Sequence, residues 1–574
     1  MLLIALKLQL AALVTVAGIN TDDIKSPSVK TELEKLDKAR TSGADINQAS
    51  TEAIKAIAEL TKSDDADALY AMALWSRIGV LNGANAQQLL DWYTKAADKG
   101  QVPAQAELGT LLIQNFPQDA EKVAKGLGYI KSAEGANNAG ARRVLAQLTI
   151  TGLPAANLKS DVTKGMALFE KGSAAGDGEA SFDLSQIYAS GIKDNSGEDG
   201  PKEVLKQDLS KSLEMLELAV KQENAPAMSD LASRLLIGDK QVKTDPARAM
   251  TILGEAAKKG SAPAERQLGV VYEQGLGGQT KDTDKAAEHY AAAARGNDGV
   301  AQLWMGNAAQ NGLLSEKGQA KVKALKKDEK PDLKPEDVLV APNPAAALNY
   351  YRLAAQNNVP QAIYNVGLFY ENGAVVDKDP TKAFALVQKA AQANIPVAQY
   401  KLGTYYQNGS GIGQDVVAAA GWYKRAADND LPAAKLVYGA MLESGIGEPK
   451  SAMAAAAQYE DAASKGLAQA MVSLASLYFR GGDNLQPKKE LAWVYASLAV
   501  DASNNDPKAV KFRDEIGEKL TEKQKADAKK LYEDKKASVA AGGSAASTSA
   551  PAVAPATTAP TSNKPPQTGT KKKK

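Results

Sequence analysis

The chain has 574 residues, enough for several domains, and it carries 69 basic and 67 acidic side chains. It has no cysteine and one histidine, which excludes disulfides and a zinc site of the usual cysteine and histidine type within one chain. Hydrophobic residues make up 44% of the chain but aromatic residues only 5%, which favours many alanine-rich helix contacts over one large core.

Residues 1–18 have the pattern of a secretory signal peptide. Lys7 is followed by an apolar run that ends in the sequence VAG at Gly18. We predict cleavage after Gly18 and therefore export to the periplasm or out of the cell. The alternatives are retention as an uncleaved membrane anchor and an apolar helix that caps the first repeat. Residues 19–64 have helix-forming composition and are predicted to form an N-terminal helical cap.

Residues 65–502 contain eleven copies of one pattern, and each copy starts at an alanine that we number position 0. Seven of the ten spacings between copies are 36 or 37 residues. Position +4 is large and apolar, position +5 is small, and position +11 is glycine in every copy but one, which has Asn115. The anchors are Ala68, Ala104, Ala141, Ala180, Ala227, Ala264, Ala301, Ala362, Ala398, Ala434 and Ala470.

These positions predict an amphipathic helix in each copy. Positions 0, +4, +8 and +11 fall on one side of an α-helix and should be buried. Glycine and asparagine tolerate left-handed backbone geometry, so position +11 is predicted to end the helix. Glycine inside the helix, as at Gly403, costs about 1 kcal/mol of helix propensity. It should therefore let a neighbouring helix approach closely, so Gly403→Leu should clash while Gly403→Ala should be tolerated or mildly stabilising.

A second helix follows in each copy. Paired alanines such as Ala426 and Ala427 mark its buried side, and a proline such as Pro432 often precedes the next anchor, where it suits the first turn of a helix. Each copy is therefore a helix–loop–helix hairpin, and stacked hairpins form a solenoid. We predict an all-α, right-handed α-solenoid of about eleven such repeats without a substantial sheet.

The pattern A-x-x-x-L-G-x-x-Y-x-x-G, followed by W-Y-x-K-A-A-x-x-G, resembles the Sel-one-like repeats, which are relatives of the tetratricopeptide repeats. The likeness covers about residues 65–500. The segment from Lys489 resembles the closing repeat and polar capping helix of that family, which places C-terminal capping helices at residues 503–536. The resemblance implies an adaptor role, in assembling envelope or signalling complexes or in contact with host proteins.

Two insertions, near residues 193–206 and 313–343, separate the first helix from the second in their copies. Their charge and their proline and glycine content predict solvated loops on the same edge of the solenoid. Residues 537–574 are rich in alanine, proline, serine and threonine and end in four lysines, which predicts a disordered tail. The terminal lysines suit an anionic polymer or a membrane surface, and a purely solubilising tail is the alternative.

The sequence does not predict catalysis, a cofactor or nucleic-acid binding. His289 is the one histidine, and its helical context indicates a helix residue rather than a catalytic base. The glycine-rich segments follow helices rather than strands, so they are predicted to be turns and not phosphate-binding loops. Residues 1–536 carry 64 basic and 67 acidic side chains, which is not the charge balance of a nucleic-acid-binding surface. Residue types alone leave open an enzyme that uses a pair of carboxylates.

A candidate binding surface comes from position +2, which points away from the predicted buried stripe. In the last five copies this position is always apolar or aromatic, and it includes Leu303, Tyr364 and Tyr400. Leu368 at +6 and Phe479 at +9 extend the row. We predict that these five residues contact a protein or peptide partner. The alternative is that position +2 packs against the adjacent repeat.

The sequence as a whole therefore predicts a non-enzymatic, exported scaffold or adaptor that binds another protein in the bacterial envelope or outside the cell. The alternative is a wall- or polysaccharide-associated structural spacer that is held by its basic tail. Deletion of residues 537–574 separates the two, since a spacer would leave the envelope fraction and an adaptor would keep its partner.

Overall fold

The computed structural model describes residues 19, 23–42, 46–77, 85–194, 202–323 and 333–546, and this part of the chain is mostly helical. Each of the eleven repeats contributes a first helix, called helix A, and a second helix, called helix B. From repeat 1 to repeat 11, helix A spans Ala66–Arg77, Val102–Asn115, Ala139–Thr151, Gly178–Ser190, Ala225–Ile237, Ala262–Gln274, Gly299–Asn311, Pro360–Asn372, Pro396–Asn408, Pro432–Ser444 and Ala468–Arg480. In the same order, helix B spans Ala86–Asp98, Ala120–Gly135, Val162–Ala174, Leu209–Lys221, Pro246–Lys258, Thr283–Arg295, Pro344–Gln356, Pro380–Gln392, Val416–Asp428, Ala452–Ser464 and Lys489–Ala502.

The helix boundaries follow from local sequence. In the first ten repeats, helix B begins after an Asp, Asn or Ser whose side chain accepts a backbone N–H of the first turn. Such a cap contributes about 1 kcal/mol to helix stability. The prolines before the anchors, such as Pro432, lie in the first turn of helix A as predicted. The prediction of an all-α solenoid of helical hairpins is confirmed.

The glycines at position +11 end helix A. Among the described residues nine of them have positive φ angles between 68° and 80°, a region in which side chains other than glycine are strained. Asn115 is the last residue of its helix, as predicted for position +11, but it is an exception in geometry because its φ is not positive, and the following Phe116 has a φ of −129°. The glycine of the first copy, Gly79, lies outside the described residues.

The predicted buried stripe forms the core. Position 0 is at most 1% exposed and position +4 at most 9% exposed in all eleven repeats. Position +8 is less regular, since Tyr370 and Tyr406 are only half-buried there. The paired alanines of helix B, such as Ala426 and Ala427, are buried against the stripe, and their small side chains permit close packing of the two helices.

The chain divides into two compact units, Met1–Ala341 and Pro342–Lys574. The first unit holds an N-terminal pair of helices, Pro27–Ser42 and Ile46–Leu60, followed by repeats 1 to 6 and helix A of repeat 7. A short turn of 3₁₀-helix, Thr61–Ser63, connects this pair to repeat 1. The signal-peptide prediction for residues 1–18 lies outside the described residues.

The second unit holds helix B of repeat 7, repeats 8 to 11 and two closing helices, Pro507–Gly517 and Glu522–Ala546. The last helix passes the predicted start of the disordered tail at Ala537 by ten residues. That boundary is therefore placed too early, because the alanine-rich segment after Ala537 continues a helix that is already formed. The remainder of the tail, residues 547–574, lies outside the described residues.

The two insertions are not simple solvated loops, which corrects the sequence interpretation. The first contains an antiparallel pair of strands, Ile192–Asp194 and Lys202–Leu205. The second contains the strands Leu313–Leu314 and Val338–Val340. Between the strands of the second insertion lie the helix Glu316–Lys323 and a 3₁₀ turn at Pro335–Asp337, and a further 3₁₀ turn, Pro154–Ala156, lies in repeat 3. Backbone pairing between the two ends of each insertion gives these strands, and composition alone does not reveal it.

Candidate protein-binding surface

In repeat 9 the glycine at position +5 faces the aromatic ring of a tyrosine on helix B of the same repeat. A Cβ atom added to Gly403 would lie 2.9 Å from two ring carbons of Tyr423. The hydroxyl of that tyrosine donates a 2.7 Å hydrogen bond to Oε1 of Gln407, which lies at position +9 of the same helix A. Burial raises the pKa of Tyr423 to about 12, so the hydroxyl stays protonated and can donate. Gly403 therefore leaves space for the ring of Tyr423. Gln407, on the same helix A, accepts a hydrogen bond from the hydroxyl at the other end of that ring.

The same arrangement recurs in repeats 6 and 10. Gly269 faces Tyr290, whose hydroxyl donates to Glu273 at 2.8 Å. Gly439 faces Tyr459, whose hydroxyl donates to Glu443 at 2.9 Å. These contacts set the orientation of helix A relative to helix B in these repeats. They therefore also set which way positions +2, +3, +6 and +10 of helix A point. We call the side of helix A that carries these positions the helix A face.

All five predicted contact residues lie on helix A and are half-buried. Leu303 belongs to the first unit, and Tyr364, Leu368, Tyr400 and Phe479 belong to the second. The structure therefore places four of the five on one compact unit, in repeats 8, 9 and 11.

The two tyrosines at position +2 pack partly against the core. The ring of Tyr400 lies 5.3 Å from that of the fully buried Tyr423. Tyr364 packs against a buried cluster that includes Ile363 and Val387, and burial raises its pKa to about 12. Each of the two rings is thus a core contact on one side and an exposed surface on the other.

The helix A face of the second unit is apolar at one edge and polar at the other. Position +2 is half-buried and reads Tyr364, Tyr400, Leu436 and Val472 in repeats 8 to 11. Position +10 is exposed in all four repeats, where it is asparagine, serine or arginine. Position +6, between them, includes the exposed Ala440. An apolar row beside a polar row is the arrangement that takes an amphipathic or extended peptide segment.

The helix A face of the first unit has different chemistry. At position +2 it carries Arg143 and Arg266, whose charges are neutralised by Asp177 at 2.6 Å and Asp298 at 3.0 Å. At position +3 it carries Asp183, among other polar side chains. Sequence reasoning missed this polar row because it considered positions +2, +6 and +9 only. The same alignment contains these polar residues at position +3, immediately after position +2.

The structure gives His289 a partner in its own repeat. The histidine lies on helix B of repeat 6, and its Nδ1 atom is 2.7 Å from a carboxylate oxygen of Glu265. Its ring stacks on that of Tyr272 with centroids 5.5 Å apart. These contacts join helix A to helix B and agree with the interpretation of His289 as a helix residue.

Other classes of site are not apparent in the part of the chain that the structure describes. There, no three histidine, cysteine, aspartate or glutamate side chains come together in a group able to hold a metal ion. None of the described helices combines the length and apolar character needed to cross a membrane.

Comparison with known proteins identifies the repeats. The model of the Sel1 repeat family matches nine segments that together cover more than half of the chain. The chain belongs to the Sel1 repeat family. The repeats anchored at Ala104 and Ala434 fall outside the matched segments but form the same hairpin. The matched segments are 66–101, 144–177, 197–224, 225–261, 262–298, 337–359, 360–395, 396–431 and 468–504.

Two solved structures are similar to the chain, and the first of them resembles it in fold. The first is c5321, a protective antigen present in uropathogenic Escherichia coli strains, with a TM-score of 0.51 and 21% identity over 88% of this chain and 99% of that one. The second is a Sel1 repeat protein from Oxalobacter formigenes, with a TM-score of 0.38 and 23% identity over 47% of this chain and 96% of that one.

Chitin synthase regulatory factor 3 of Schizosaccharomyces pombe is a curated relative with 27% identity over 222 residues. The alignment covers 36% of this chain but only 23% of that protein. Sel1 repeat proteins generally mediate protein–protein interactions and are generally non-catalytic. Membership of the family therefore places this chain among protein-binding scaffolds.

Proposed function

We propose that the protein is an exported, non-enzymatic adaptor that binds a segment of another protein along the helix A face of its second unit. The observation that carries the proposal is the row of half-buried apolar side chains at position +2, which continues through four consecutive repeats beside an exposed polar row. Export is supported by the signal-peptide pattern of residues 1–18. The predicted contacts Tyr364, Leu368 and Tyr400 belong to this surface, Phe479 borders it at position +9 of repeat 11, and Leu303 extends the same pattern on the first unit.

Truncation of the tyrosines alone is a poor test of this surface. Tyr364→Ala with Tyr400→Ala removes partner contacts, but it also removes packing against Tyr423 and the cluster around Val387. Truncated buried aromatic side chains destabilise proteins by about 3–5 kcal/mol, and half-buried ones by less. Loss of binding in that variant would therefore have two inseparable causes, lost partner contacts and a destabilised fold.

Ala440→Arg tests the surface without removing any packing. Ala440 is exposed at position +6 of helix A in repeat 10, and arginine is nearly as good a helix former as alanine. The larger, charged side chain should block the face and abolish capture of the partner, which is measured by affinity capture from the envelope and secreted fractions of the native cells. The melting temperature should stay close to that of the parent.

Ala457→Arg is the matched control. Ala457 is exposed on helix B of the same repeat, so the substitution adds the same side chain to the opposite helix of the hairpin. It should leave capture unchanged. Equal capture by the parent and by Ala440→Arg would show that the helix A face is not the binding surface.

A further inference from the structure

The loops that join helix A to helix B carry an exposed apolar row in repeats 8 to 10. These loops and the first residues of the B helices that follow are residues 373–382, 409–417 and 445–453, and we call them the loop edge. A monomeric soluble protein seldom gathers its exposed apolar side chains in one place, so their concentration at the loop edge indicates a contact surface. Among the described residues of the second unit, all the exposed large apolar side chains lie there, namely Val375, Ile412, Val416, Val417, Ile446 and Met453, which are between 36% and 66% exposed.

Contacts between repeats join these loops into one continuous edge. A Cβ atom added to Gly447 would overlap the backbone oxygen of Val416, so the loop of repeat 10 lies on the first turn of helix B in repeat 9. A Cβ atom added to Gly411 would overlap the backbone oxygen of Pro380 in the same way, one repeat earlier. Ile446, the neighbour of Gly447 in the chain, therefore lies at the same edge as Val416.

Val375 holds its side chain at this edge in a strained backbone conformation. Its φ is 72°, in the left-handed region, where a β-branched residue is strained. Val375 occupies position +13, where repeats 6, 9 and 10 carry glycines with φ angles between 62° and 73°. Glycine would therefore form this loop without strain, and valine adds an apolar side chain that is 54% exposed. Strain that is retained in this way is typical of residues kept for function.

The loop edge is close to neutral, and ion pairs offset several of its charges. Its three segments contain three lysines and four acidic side chains, a net charge of −1. Lys382 pairs with Asp379 at 3.5 Å, and Lys450 pairs with Asp483 of the next loop at 3.2 Å. Such a surface does not attract a strongly charged polymer or membrane, and it does not repel a copy of itself.

We propose that the loop edge is a contact between two copies of this protein. Packed helices lie about 8–10 Å apart, so an edge three repeats long and two helices wide presents about 600 Å² per copy and about 1,200 Å² in a pair. This is the lower end of the range for specific interfaces, and it suits a weak, reversible dimer. A two-fold axis would bring the apolar row of each copy against that of the other. The loop edge is separate from the helix A face, so the two surfaces can be tested independently.

Sedimentation velocity of the full chain tests the proposal. The parent should shift from 60.2 kDa towards twice that mass as its concentration rises from about 1 to about 100 µM, as expected for a weak interface. Val417→Glu with Met453→Glu places a charge at the second residue of two neighbouring B helices, where an acidic side chain suits the helix N-terminus. The dissociation constant of the dimer should rise about tenfold or more, because like charges would meet across the contact. The melting temperature should stay close to that of the parent.

Lys389→Gln with Lys424→Gln is the matched control. Both lysines are exposed in the second half of a B helix, in repeats 8 and 9, and their replacement lowers the net charge by the same amount as the glutamate pair. The dissociation constant should change by less than about twofold, since exposed charges away from a contact contribute little. An equal loss in both pairs would reveal diffuse repulsion between copies and overturn the proposal. A dimer that persists in the glutamate pair would place the contact elsewhere and overturn it as well.

Val375→Gly separates a role in contact from a role in the fold. Glycine adopts the left-handed φ without strain, so the melting temperature should stay the same or rise, while the loss of an apolar contact should weaken the dimer about fivefold. A valine with a purely structural role would instead lower the melting temperature and leave dimerisation unchanged. A parent that stays monomeric at the highest concentration would overturn the proposal. Flotation of that monomer with phosphatidylcholine vesicles, lost in Val417→Glu with Met453→Glu, would assign the loop edge to a lipid surface instead.

Discussion

At the scale of single residues, the glycine at position +5 of three A helices lies opposite an aromatic ring of helix B. Gly403, Gly269 and Gly439 each lie opposite a buried tyrosine of helix B, and the tyrosine hydroxyl returns to helix A. The sequence indicates a close approach at these positions, since about 1 kcal/mol of helix propensity is given up at each of them. It does not indicate how close the approach is. The identity and orientation of the opposing side chain decide that.

Gly403→Ala is therefore expected to destabilise the protein, which reverses the expectation from sequence. The new methyl group would lie 2.9 Å from ring carbons of Tyr423, a side chain that is 2% exposed and held by Gln407 and Thr404. Overpacking of this kind costs about 1–3 kcal/mol, against a gain of about 1 kcal/mol in helix propensity. Chemical denaturation of the parent and the variant measures the difference.

Gly421→Ala provides the control within the same hairpin. Gly421 lies inside helix B of repeat 9, and an added Cβ would meet nothing within 4 Å. This variant should gain up to about 1 kcal/mol. If both alanine variants are stabilised equally, the tyrosine ring moves aside freely and the close-packing argument fails.

At the scale of elements, the features that recur within each helix at the α-helical period were predictable from the sequence. The buried stripe, the capping residues and the left-handed glycines follow from positions within one helix, and the alignment of eleven copies makes each of them visible. The strands in the insertions form instead by pairing of segments that occur only once in the chain, so an alignment of repeats gives no information about them. The polar row at position +3 was missed for another reason, because only positions +2, +6 and +9 were considered, although the same alignment contains it.

The second insertion gives a prediction at this scale. Asp337 is fully buried, pairs with Lys321 and accepts a 2.8 Å bond from the backbone N–H of Lys334. Its own carbonyl accepts a 2.9 Å bond from the N–H of Ser315, which ties together the two ends of the insertion. Asp337→Asn removes the charge that pairs with Lys321. It should speed amide hydrogen exchange between Leu313 and Val340 and leave the global melting temperature nearly unchanged.

The same contact predicts a dependence on pH. The hydrogen bond from Lys321 and that from the Lys334 backbone hold the pKa of Asp337 below its ordinary value of about 4. A group with a lowered pKa in the folded state stabilises the fold above its unfolded pKa, and this stabilisation is lost as the pH falls through the folded value. The insertion should therefore loosen below about pH 4 in the parent but not show this transition in Asp337→Asn. Glu336→Gln, one residue earlier and exposed, should behave like the parent at every pH.

At the scale of the whole molecule, a solenoid is stabilised by contacts between neighbouring repeats, so its stability is close to a sum of local terms. Nothing in the repeat pattern predicts where such an array divides into units. The structure divides at Ala341, within the insertion of repeat 7, so that the two helices of one repeat belong to different units. In the sequence, the second insertion separates helix A from helix B of that repeat.

This division predicts that residues 342–574 fold alone. The segment keeps Asn343 as the cap of its first helix, and it contains the whole cluster that runs from Ala419 through repeats 10 and 11 to the closing helix at Ala528. Circular dichroism should show a helical protein with a cooperative thermal transition. A cut after Asp430 is the control, because it separates Tyr423 and Ala427 from Ala434 and Tyr438 in the same cluster. The resulting fragment 342–430 holds two complete repeats, fewer than the roughly three that stable arrays need, and should lack a cooperative transition. If 342–574 also melts without cooperativity, the division at Ala341 does not mark an independent folding unit.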